Sequence, residues 1–95
     1  MASIPVVLRR IRRARREAKE PPTVGKFREY EAAYREILEA VEDAGGEGSR
    51  DEVSEWLIEW TERRRRLPEP ETLREHARDV LVERGVELPD RLQPA

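Results

Sequence analysis

The apolar residues of this chain recur at steps of three and four along almost its whole length, the spacing that gathers side chains on one face of a helix. Ile4, Val7, Leu8, Ile11, Ala14 and Ala18 form the first such face. They predict an amphipathic helix near residues 4–19, opened by Ser3 ahead of Pro5 and closed by Pro21 and Pro22, since proline lacks the amide donor and pushes its predecessor out of helical backbone. Phe27, Tyr30, Tyr34, Ile37, Leu38, Val41 and Ala44 predict a second helix near 25–44. Gly45 and Gly46 then supply left-handed backbone at little steric cost. Ser49-Arg50-Asp51-Glu52 spells a capping box, which predicts a third helix near 50–66 with Val53, Trp56, Leu57 and Trp60 facing inward. Glu69-Pro70-Glu71 opens a fourth near 70–84 on Leu73, Ala77, Val80 and Leu81. Gly85 and Val86 are placed to close it.

Neither the alternation of a strand nor a repeat at solenoid spacing runs through the sequence. The expected fold is all-α, a small bundle of three to four helices. Three segments are expected: 1–22, a basic amphipathic arm or helix with a Pro-Pro linker; 23–88, the helical bundle domain; and 89–95, an extended tail. Leu88 and Leu92 are apolar enough to pack back on the body.

The chain has 95 residues, 42% charged and 37% hydrophobic, with a mean hydropathy of -0.88, which allows one domain with a thin core. Burial of each large apolar side chain contributes ~1.5–3 kcal/mol before entropy is subtracted, so docking of the first helix, or a homodimer, would thicken that core. No apolar run approaches the roughly 18 residues of a membrane span, and no signal-peptide core follows the early arginines. Zero cysteines exclude disulfides and thiolate metal clusters and are compatible with a cytoplasmic location.

Charge changes the picture most. The net charge of -2 conceals a basic leader and an acidic body. Residues 1–26 carry Arg9, Arg10, Arg12, Arg13, Arg15, Arg16, Lys19 and Lys26 against Glu17 and Glu20, a balance of +6. The remaining residues sum to -8. A basic helix of this kind attracts polyanions, gaining affinity as counterions leave the phosphates. An acidic protein surface, or an acidic membrane face engaged through Ile4, Val7, Leu8 and Ile11, offers the same complementarity. Nucleic acid is the leading expectation. A helical adaptor or assembly subunit, its basic helix docked on an acidic surface, is the alternative. Arg63, Arg64, Arg65 and Arg66 sweep around the end of the third helix at about 100° each, so two or three, with Arg63, Arg64 and Arg66 as candidates, can reach phosphate. The competing reading is a solvated last turn offsetting the helix dipole.

The remaining chemistry points away from catalysis. His76 is the single histidine, without a HExxH pattern or a second imidazole, and reads as an ordinary boundary residue. The serines and threonines lack a nucleophile elbow. Gly45, Gly46 and Gly48 do not have P-loop spacing, lack its lysine and are flanked by Glu47, Asp51 and Glu52. No enzyme activity, metal or cofactor is expected. Trp56 and Trp60, one turn apart, suit either a stacking platform for bases or the core, and aliphatic neighbours favour the core.

From Ile37 to Gly85 the order ILEAVEDAGG, SRDEVSEWL, a proline-bearing turn and PETLREHARDVLVERG resembles a tri-helical helix-turn-helix module. That resemblance implies DNA binding and transcription regulation, with Thr72, Arg74 and Arg78 of the last helix nearest the major groove.

Overall fold

Pro5 sits in the first turn of helix α1, Ile4–Glu17, where its missing amide would have had no intrahelical partner. The computed structural model describes residues 3–94; Met1, Ala2 and Ala95, at the outer ends of the expected arm and tail, lie outside the described residues. Thr23 starts α2, Val24–Arg64, its Oγ1 accepting the Lys26 amide at 3.2 Å. A third helix, α3, spans Pro70–Glu83, and a 3-10 turn spans Asp90–Leu92. No strand occurs among the described residues, and the fold is the small all-α bundle expected.

One helix stands where two were expected, but it is broken. A straight helix of 41 residues would be ~60 Å long, whereas the molecule extends 37 Å at most. The break is Gly46, at φ 83, ψ 178, a region essentially confined to glycine. There the chain folds back, leaving limbs 24–45 and 47–64 to pack as separate helices. Gly45 is needed for a different reason: a Cβ there would lie 2.6 Å from Ser49 Oγ and 2.7 Å from Leu81 Cδ2. Replacing Gly46 with alanine should cost about 1–3 kcal/mol, read as a fall in urea midpoint at unchanged slope. An unchanged midpoint would mean that residue 46 is not strained.

The capping box is corrected. Ser49 lies inside the helix, buried, and its Oγ donates to the Gly45 carbonyl at 2.9 Å, while Glu52 accepts from Arg84 at 3.0 Å. Gly46 alone makes the break, so the second limb starts before Ser49 is reached. Arg50 reinforces the fold-back, donating to Glu42 at 2.6 Å and Asp51 at 3.1 Å. The limb ends at Arg64, short of the expected 66, because Arg65 turns left-handed at φ 54, ψ 38. In α3 the end is as read: Gly85 at φ 72, its amide on the Val82 carbonyl and the Val86 amide on Leu81, the paired bonds of a Schellman motif.

Val7, Leu8 and Ile11 of α1 join Tyr34, Leu38, Val41, Val53, Leu57, Leu73 and Leu81 in one core. Tyr34 is fully buried and its hydroxyl donates to the Pro68 carbonyl at 2.5 Å. Tyr30 donates to Glu69 at 2.7 Å; burial and that carboxylate push its ionisation up to about 12. Both tyrosines pin the first limb of α2 to the turn before α3. The expected extended tail is corrected at Asp90–Leu92, which forms a 3-10 turn; Leu92 packs back on the body, as its apolar character suggested, and is fully buried in the core, while Arg91 reaches Asp43 at 2.9 Å.

Candidate nucleic-acid interface

Helix geometry divides the six arginines of α1 into distinct groups. With Val7, Leu8 and Ile11 turned into the core, the opposite side of the helix belongs to Arg9, Arg13 and Arg16, an i, i+4, i+7 row. None of these three makes an ion pair among the described residues. Arg10 and Arg12 flank the row and lean to opposite limbs of α2. Arg10 meets Glu62 at 3.0 Å with both side chains more than half exposed. Arg12 holds Glu31 through two bonds, Nε to Oε2 at 2.5 Å and Nη2 to Oε1 at 3.0 Å. That contact, ahead of the opposing effect of burial, keeps the Glu31 carboxyl below its ordinary range. Arg15 is turned inward, its Nη2 donating to the Pro22 carbonyl at 2.9 Å and its guanidinium 5.3 Å from the Phe27 ring centre.

A shallow hollow of about 520 Å³ lies along the outward row, lined by Val6, Arg9, Arg10, Arg12, Arg13 and Arg16 without a single acidic residue. A second hollow beside α1, about 560 Å³, is lined by Arg10, Arg13 and Glu17 of α1, by Glu62 of α2 and by Arg65 just past the end of α2. The Lys19 amide donates to the Arg65 carbonyl at 3.3 Å, tying the end of α1 to the end of α2. Sequence reading omitted Arg65 from the candidates. No helical spacing signals it, because Arg65 has left the helix for left-handed backbone.

The other candidates sit elsewhere. Arg63 pairs with Glu59. Arg64 and Arg66 lie over Trp60, 4.7 and 5.4 Å from its centre, and make no ion pair among the described residues. Arg74 and Arg78 both bond Glu71, at 2.5 and 2.8 Å. Arg78 also donates to the Leu92 carbonyl at 3.0 Å. These two arginines, Arg78 first, hold the Glu71 carboxyl below its ordinary range, so the α3 face offers arginines already engaged by a shared carboxylate where the α1 face offers unpaired ones.

His76 stacks on Trp56, ring centres 4.2 Å apart and 11° from parallel. Its Nε2 is buried without a partner. Burial lowers its proton affinity against the pull of Glu52, Asp79 and Glu83. The folded state therefore takes up this proton less readily than the unfolded chain. Stability from this source is whole above the ordinary value of 6.5 and is lost as the pH falls below it. Glu31 and Glu71, held below 4.5, act in the same direction only at lower pH. Thermal melts should show a decline beginning below pH 6.5 that His76→Gln removes; an identical decline in that variant would assign it to other groups.

No helix of the described residues is long and apolar enough to cross a membrane. No protein-family model matches the chain, and neither a curated protein nor a solved structure shows significant similarity to it.

Proposed function

We propose that this chain is a small helical nucleic-acid-binding protein of the regulatory kind, attached to phosphates by the outward face of α1. The observation that carries the reading is the row Arg9, Arg13 and Arg16, unpaired among the described residues, in a hollow whose charged lining residues are all arginines. Arg9 and Arg16 are ~10 Å apart along the helix axis, about the rise of three phosphates along one strand. Arg10 and Arg65 extend this surface, and Arg10 can exchange an exposed carboxylate for a phosphate at little cost, because exposed ion pairs contribute at most about 1 kcal/mol. The acidic body turns the other faces away from a polyanion and so favours one orientation.

A lipid surface fits less well, since the apolar stripe that would enter it is occupied by the core. In the helix-turn-helix reading α3 would enter a major groove with Thr72, Arg74 and Arg78. That step requires both arginines to leave Glu71, whereas phosphate contact by α1 breaks no buried bond. The test is an anisotropy titration with mixed-sequence duplex DNA and with RNA at two salt concentrations. Affinity should fall steeply with salt and vary little with sequence. Absence of binding at low salt, with tight retention on an acidic polypeptide, would instead identify an adaptor.

A further inference from the structure

Trp60 lies on the second limb of α2, one turn from Trp56, and its ring is only half buried. The rings of Trp60 and Trp56 are 6.4 Å apart and tilted by 39°, and Trp56 is backed by the parallel ring of His76. Two guanidiniums, Arg64 and Arg66, lie over the outer ring, and both are exposed. A tryptophan serving only the core would sit among the aliphatic residues that bury Leu57 and Val53. Here a half-buried indole and two exposed guanidiniums with no ion pair among the described residues meet just where the helix ends at the left-handed Arg65.

We propose that Trp60 with Arg64 and Arg66 is a site for one unpaired nucleotide of a single-stranded nucleic acid. A base stacks on the Trp60 indole while the two guanidiniums turn from the ring to the flanking phosphates. The ligand class follows from the pair of requirements. An acidic peptide satisfies the cations and leaves the indole uncovered. A duplex satisfies the cations, but its base faces are already stacked on one another. A single strand presents both a free π face and a phosphate at each nucleotide. His76, stacked behind Trp56, stiffens the platform, so little order has to be gained on binding. This inference rests on the nucleic-acid reading of α1 and adds to it the strandedness of the ligand.

The probe is a short oligothymidylate, set against a duplex of the same length, with the full chain. Oligothymidylate should quench tryptophan emission and bind more tightly than the duplex. Trp60→Leu should weaken oligothymidylate about tenfold and leave the duplex unaffected. Should Trp60→Leu fold poorly, Arg64→Gln with Arg66→Gln, both exposed, should flatten the salt dependence of oligothymidylate binding by about 1.4 in log–log slope. Equal losses on single strand and duplex, or none, would overturn the stacking site while the α1 interface stands. Failure of the native chain to bind either nucleic acid overturns both, as does stronger retention on polyglutamate than on oligothymidylate.

Discussion

Truncating Leu8 to alanine is expected to remove about 2–5 kcal/mol of folding stability. Leu8 is 1% exposed, beside Val7 and Ile11 on the one stripe of α1 that meets the core. The loss combines the transfer free energy of the deleted carbons with the cavity they leave. A domain of 95 residues has roughly 5–14 kcal/mol in all, so the change consumes a large share. It should appear as a lower denaturant midpoint in a single transition followed by tryptophan emission. Neither tryptophan is in α1, so a shift in that signal would show that α1 belongs to the same cooperative unit as the α2 limbs. If the midpoint does not move, α1 is a separable arm and its outward row has no fixed geometry.

The second large effect concerns binding. Replacing Arg9, Arg13 and Arg16 together by alanine should weaken affinity for nucleic acid by roughly ten- to a hundredfold, each exposed charge contributing about 0.5–1 kcal/mol. The loss should be nearly equal for every sequence, because phosphate contacts carry no base information. Stability should hardly change, since none of the three touches the core or forms an ion pair among the described residues. The control is Arg74→Ala with Arg78→Ala. Those side chains are committed to Glu71 and to the Leu92 carbonyl, so their loss should reduce stability more than affinity.

How far the sequence could be read depended on the range of each interaction. Periodicity located the α-helical segments to within a few residues, and the glycine that closes α3 was legible because a Schellman cap is built from neighbours such as Val82, Gly85 and Val86. The Gly45-Gly46 break was legible as a boundary. Its geometry was not, because the capping box at Ser49 is a local signal, whereas the second limb starts ahead of it at Gly46, where the chain folds back. Arg50 was invisible for the same reason: its partner Glu42 lies eight residues back across the break, at no helical spacing. In the candidate interface, the basic face of α1 was plain from the sequence. Which arginines remain unpaired was not, since Arg10 and Arg12 choose Glu62 and Glu31 from limbs 52 and 19 residues away.

The most direct measurement is the slope of log affinity against log salt, for one duplex, in the native chain and in the triple variant of Arg9, Arg13 and Arg16. If these arginines each displace a counterion from a phosphate, the slope becomes shallower by about three. Equal slopes in the two proteins would contradict the account and place the charge of α1 outside the binding event.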